Sequence, residues 1–356
     1  MRLPRRPLPR LVPRTAAACA AVALACLPAL PAAASGPDVA FRISDPRITE
    51  SSGLVASRLH PGVYWTHNDS GDGPYVYGID AATGRTVATL TLRGVHPRDA
   101  EAISIGPDGD LYLGDIGDNL DGAWSEVWIY RFPEPRTLAD QTVDATRYTV
   151  QYADGPRNAE ALMVQPRTGR VYIASKKEDG GHLYEGPARL SASGVNVFHS
   201  IGDVPWVTDG AFSPDGSRLV LRGYFWATDY RWSGDRPHQA GQLDVPVQPQ
   251  GESVAFTPDG RALMFGSEGK DSAVWRESLS GADLPDDAAA SPSATPSTTT
   301  APGTSSGTSS GASTGSGVTA PKASAGSKAL GFLLLVVFGL GGFYVSKVLR
   351  RGRRNG

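Results

Sequence analysis

The chain has 356 residues, a formal net charge of −2 and two cysteines, Cys19 and Cys26. Both cysteines fall in an N-terminal export segment, which excludes disulfides and thiolate-held metals from the mature protein. Five basic residues lie in that segment and seven from Lys322 onward, leaving 22 against 36 acids; a body near −14 disfavours a nucleic-acid ligand and favours cations.

Residues 1–34 read as a secretory signal peptide: Arg2, Arg5, Arg6, Arg10 and Arg14 precede an apolar run over 16–30, and Ala32, Ala33 and Ala34 offer the cleavage site. The body between 38 and 280 shows almost no helical periodicity and many short β-branched or aromatic runs, which predicts an all-β fold. At 39–43, Val39, Phe41 and Ile43 alternate with Ala40, Arg42 and Ser44, the period of a half-buried strand. Five times thereafter a short polar step leads into an apolar run. Ser52, Glu101, Glu160, Asp209 and Glu252 occupy equivalent places in those steps, at intervals of 49, 59, 49 and 43 residues. That period is the length of a four-stranded propeller blade.

Each repeat predicts four strands. In the first they fall at 54–57, 63–66, 75–80 and 86–92, and in the second at 102–105, 111–113, 127–132 and 147–151. Pro-Asp-Gly at 107–109, 214–216 and 258–260 presets a tight turn, with proline fixing φ and glycine free to take a positive one. Gln165–Gly169 serves the third repeat. Repeat five stops after a strand at 273–277, so strand 39–43 is expected to complete it and close a ring. The prediction is a β-propeller of five four-stranded blades, six if the long second repeat hides another.

Residues 281–327 become Ser, Thr, Ala, Gly and Pro, the composition of a disordered stalk. Residues 329–346 are apolar, and eighteen residues in a helix span about 27 Å, enough for a hydrocarbon core. The tail 347–356 carries Lys347, Arg350, Arg351, Arg353 and Arg354, which orients it to the cytoplasm. The expectation is a single-pass membrane protein with an extracellular body.

In a blade, the first strand begins where the second ends, so the polar steps should meet the loops 66–72, 114–119, 175–179, 222–224 and 266–268 around one channel mouth. Glu101, Glu160, Asp209, Glu252, Asp69, Asp115, Asp118 and Asn119 are the candidate metal ligands there. Two carboxylates 5 Å apart repel by about 3 kcal/mol at an effective dielectric near 20, which a cation relieves. Ca2+ fits best, taking 6–8 oxygen ligands; zinc is disfavoured without cysteine. Asn68, Tyr224 and Trp226 are candidate ligand contacts, and His67, Lys176 and Arg222 candidate catalytic groups. Asp72, Asp108, Asp215 and Asp259 read as turn formers. No nucleophile elbow, phosphate loop or zincin motif is present.

The Pro-Asp-Gly hairpins and acid-started strands of 38–280 resemble secreted propellers of the NHL, SMP-30 and TolB-like group, and more loosely the propeller phytases. The resemblance to SMP-30-like lactonases implies a calcium held by a Glu, two Asn and an Asp, roles that Glu101, Asn158 and Asp209 could take. Two functions remain open: a surface-displayed module that binds a small-molecule, polymer or protein ligand through Ca2+, and a metal-dependent hydrolase of phosphoesters or lactones.

Overall fold

The computed structural model describes residues 38–291 apart from Ser70 and Asp121. The predicted signal peptide, the stalk beyond Ser291, the apolar segment 329–346 and the basic tail lie outside the described residues. Among the described residues, no helix is long and apolar enough to cross a membrane.

The body is all-β. Strand β1 (Asp38–Arg42) is followed by a meander of β2 (Ser51–Ala56), β3 (Val63–Asn68), β4 (Tyr75–Asp80) and β5 (Arg85–Leu92). The second meander is β6 (Ala100–Ile105), β7 (Asp110–Asp115), β8 (Val127–Pro133) and β10 (Thr146–Tyr152), with the short β9 (Gln141–Val143) set between the last two. The third comprises β11 (Ala159–Val164), β12 (Val171–Ser175), β13 (Gly181–Glu185) and β14 (Val195–Val204). The fourth comprises β15 (Asp209–Phe212), β16 (Arg218–Arg222), β17 (Ala227–Ser233) and β18 (Arg236–Leu243). The fifth, β19 (Gly251–Phe256), β20 (Ala262–Ser267) and β21 (Ala273–Ser278), has only three strands of its own.

β1 supplies the missing strand. It pairs antiparallel with β21, Asp38 opposite Arg276 and Arg42 opposite Ala273, and extends the order to β1-β21-β20-β19. Phe41 and Ile43 anchor it, both buried in a cluster with Tyr64, Ile79, Met264 and Val274. The first strands of the five meanders are neighbours in a cycle: β2 lies against β6, β6 against β11, β11 against β15, β15 against β19, and β19 against β2. A parallel pairing of β10 with β14 joins the second and third meanders into one eight-stranded sheet.

The extra length of the second repeat forms no further meander. β9 crosses to the first meander and pairs parallel with the edge of β5. Glu134 holds the root of this insertion. Its carboxylate accepts the Trp65 indole N–H at 2.7 Å, the Arg58 and Leu59 amides at 3.1 and 3.2 Å, and the Ser57 hydroxyl.

The Pro-Asp-Gly turns form as expected, with Gly109, Gly216 and Gly260 at φ of 83°, 68° and 68°. Asp215 and Asp259 turn their carboxylates back onto the Ser217 and Arg261 amides at 3.0 Å, so they shape the hairpins.

Residues 281–291, whose composition predicts a disordered stalk, are folded onto the body. A 3-10 turn over Gly281–Asp283 and a short helix, α1 (Asp286–Ala290), dock on the fourth and fifth meanders. Buried Arg218 pairs with Asp229 and donates to the Ala282 and Leu284 carbonyls, while Arg261 donates to the Ala288 carbonyl at 2.7 Å. Backbone carbonyls captured by these arginines, together with the buried Pro285 and Ala288, order this segment.

Candidate metal and ligand site

Each first strand starts opposite the end of its second strand: Ser51 faces Asn68, Ala100 faces Asp115, Ala159 faces Ser175, Asp209 faces Arg222 and Gly251 faces Ser267. In four of the five the ladder is broken at that point. The pairing skips Ser52 and Gly53, Glu101, Glu160, and Glu252 with Ser253. The repeated polar step is therefore a β-bulge, which releases a residue from the ladder and re-aims its side chain. The fourth repeat has none. Asp209 stays in register, and one of its oxygens accepts the Val254 amide at 2.8 Å. Its other oxygen is buried without a partner, and burial drives its pKa well above the usual carboxylate value.

Three carboxylates converge. Asp69, from the loop after β3, and Asp99 and Glu101, from the start of β6, are buried and offer oxygens that all lie within 4.8 Å of one another. That is the separation of ligand pairs around one cation bound at 2.3–2.6 Å. Gly117 makes room for them: a Cβ there would stand 2.6 Å from the Glu101 Oε1 and 2.7 Å from the Asp99 Oδ2. The Ser52 hydroxyl donates to the Glu101 carbonyl at 2.9 Å and reaches its carboxylate at 3.3 Å, and the Asn119 amide donates to Asp99 at 3.0 Å. Three negative charges this close favour a divalent, oxygen-seeking cation.

The network continues round the centre. Asn158 donates to Asn119 at 3.3 Å and to Glu160 at 3.4 Å, and Glu160 pairs with Lys176 at 3.0 Å, their side chains only 4 % and 14 % exposed. Lys176 also donates to the Tyr224 hydroxyl at 3.0 Å. Burial alone would lower the Lys176 pKa. Glu160, Tyr224, Glu252 and Glu101 outweigh it and hold the ammonium well above the ordinary lysine value. Glu252 accepts from Gln250 at 3.0 Å, and Gln250 also donates to Glu268.

Of the eight predicted metal ligands, Asp69 and Glu101 meet, with Asn119 beside them. Glu160 is committed to Lys176, Glu252 to Gln250 and Asp209 to the Val254 amide. Asp115 does not face the centre: one oxygen accepts the Arg98 and Asp99 amides at 3.0 and 2.7 Å. Asn68 does the same in the first repeat, accepting the Thr49 and Glu50 amides, so it is a strand-end clamp rather than a ligand contact. Asp118 accepts the Trp124 amide at 2.7 Å, and its other oxygen is buried without a partner.

The catalytic candidates fare unevenly. Arg222 is wholly buried and donates to the Ser253 and Gly266 carbonyls and to Gln248, so it braces two repeats. Burial lowers its pKa to about 10, which leaves it charged at neutral pH. The His67 Nδ1 bonds the Asn68 carbonyl at 2.9 Å, its Nε2 is enclosed, and burial depresses its pKa. Lys176 alone reaches the polar centre. Trp226 packs against a core cluster beneath Gly223, whereas Tyr224 stands half-buried with its ring against Trp206 at 5.3 Å. Sequence reasoning missed Asp99; its signal is its place two residues before Glu101, within the same polar step.

No known family model matches the chain, and comparison with characterised proteins found no similar one.

Proposed function

We propose that the chain is a five-bladed β-propeller, tethered to the cell surface by residues 329–346, that binds an extracellular ligand through Ca2+ held by Asp69, Asp99 and Glu101. The cyclic order of the first strands and the completion of the fifth meander by β1 support the propeller reading. The convergence of three buried carboxylates within 4.8 Å, opposite a glycine that leaves them room, carries the functional one. Three protein ligands would leave further coordination positions of Ca2+ to water, nearby oxygens and a ligand's own oxygens. Calorimetry of the purified chain with Ca2+, before and after Glu101→Gln, tests this. Saturable binding that the substitution abolishes is expected, and no heat and no melting shift at millimolar Ca2+ refutes it.

The hydrolase reading draws on Lys176, a charged ammonium paired with Glu160 and within the field of Glu101, that could steady a developing anion. It has less support, because Arg222 is committed to backbone carbonyls and His67 is enclosed. Turnover of phosphomonoesters, phytate or lactones that chelator removes would favour it over the binding module.

A further inference from the structure

A groove of about 510 Å³ runs along the first meander, within the roughly 300–1,000 Å³ of small-molecule sites. Its floor follows from strand register. Tyr75 pairs with Thr91, and Thr91 with Thr142; one step along, Tyr77 pairs with Thr89, whose amide donates to Asp140 at 2.8 Å. Side chains two apart on a strand share a face. Three strands therefore present two adjacent rows of hydroxyl, aromatic and carboxylate groups to one side. The outer wall is β9, contributed by the insertion of the second repeat.

The polar groups left over are those of a hydroxyl-rich, uncharged ligand. Asp140 uses one oxygen on the Thr89 amide, and Gln141 uses its amide nitrogen on the Thr137 and Ala139 carbonyls. The second Asp140 oxygen is directed to no other hydrogen bond among the described residues, and Gln141, which alternates to the opposite face with Val143, holds the loop before β9 instead. Arg47 borders the groove over the Tyr77 ring at 5.1 Å, but its charge is matched by Asp45 at 2.6 Å. An anionic ligand would thus meet Asp72 and Asp140 with no uncompensated cation.

We propose that this groove binds a neutral saccharide. The Tyr75 ring, 37 % exposed, lies under the apolar C–H face of a sugar, and Asp140, Thr91 and Thr142, which share that face, take its hydroxyls. Asp72 and Tyr75 also line a small cavity with Asp69, so the groove adjoins the acidic centre at that end, but the groups offered to the sugar are those of β4, β5 and the β9 segment and need no metal.

The test is calorimetric titration of the full chain in lipid nanodiscs with cello-, malto-, xylo-, manno- and chito-hexaose, using heparin as the anionic control. At least one neutral hexaose should bind saturably, with affinity unchanged by chelator and about tenfold weaker in Tyr75→Ala and in Asp140→Asn. Tyr75 is partly exposed and Asn keeps the acceptor for the Thr89 amide, so both variants should melt like the parent. Failure of every neutral hexaose to bind overturns the proposal, as does binding that both variants retain or a preference for heparin. Binding that vanishes with chelator but survives the variants would place the sugar at the acidic centre, and also overturns it.

Discussion

Gly117→Ala isolates the carboxylate cluster from the rest of the fold. Gly117 does not have positive φ, so alanine suits its backbone. The added methyl would lie 2.6 Å from the Glu101 Oε1 and 2.7 Å from the Asp99 Oδ2, against a closest ordinary approach near 3.0 Å. The carboxylates must retreat by more than the ~0.2 Å tolerated in metal–ligand distances. Because carboxylate ends move easily, folding should be nearly unaffected, while Ca2+ affinity falls about 10–100-fold, the range for perturbed ligand support. At 100 times the parent's Kd, bound Ca2+ adds about 2.7 kcal/mol, worth about 5–11 °C in Tm for a domain of this size. In the variant the same Ca2+ should add only about 0.4–1.4 kcal/mol. Melting curves of parent and variant, each with Ca2+ and with chelator, read this directly. Equal Ca2+-dependent shifts in the two proteins would show that these carboxylates hold no cation.

Asp209→Asn keeps an acceptor for the Val254 amide and removes a buried charge. With its folded pKa raised above the unfolded one, the wild-type carboxyl contributes stability below the unfolded value of 3.8, and that contribution is lost as pH rises through the folded pKa. The variant's advantage in unfolding free energy should therefore grow from pH 4 toward neutrality, reaching about 1–3 kcal/mol in urea denaturation; a difference independent of pH counts against it. Lys176→Met strands Glu160 in a poorly hydrated site and should cost about 3–5 kcal/mol in urea denaturation, with much of the loss recovered in the double variant with Glu160→Gln. Glu134→Ala leaves the Trp65 indole and two amides without their acceptor, and should cost of order 3 kcal/mol by the same assay. Phe41→Ala weakens closure by β1 and should cost about 3–5 kcal/mol, whereas a loss under 1 kcal/mol would mean the strand does not hold the fold together.

The features legible in the sequence are those that local chemistry imposes. Pro-Asp-Gly can form few structures other than a tight turn, and the alternation of Val39, Phe41 and Ile43 specifies a strand wherever it pairs. The repeated acid marks a bulge in three repeats, because a carboxylate at the head of an apolar strand has to leave the ladder to find polar partners. Asp209 carries the same sequence signal without the bulge, since the Val254 amide of the next repeat satisfies it in register. Asn68 and Asp115 were equally undecidable: an amide or carboxylate oxygen that can ligate a cation can as readily clamp two backbone amides, and only the fold brings those amides within reach. The triad is not repeated at all. It joins a loop of the first repeat to the strand start of the second, so Asp99 matters through its nearness to Asp69, thirty positions away in the chain. The same holds for β9, whose place beside β5 is settled by Glu134 meeting Trp65 across 69 residues. Turn type and strand period follow from neighbours along the chain, whereas which polar groups share a cavity depends on strands packed from distant repeats, whose separations no local pattern encodes.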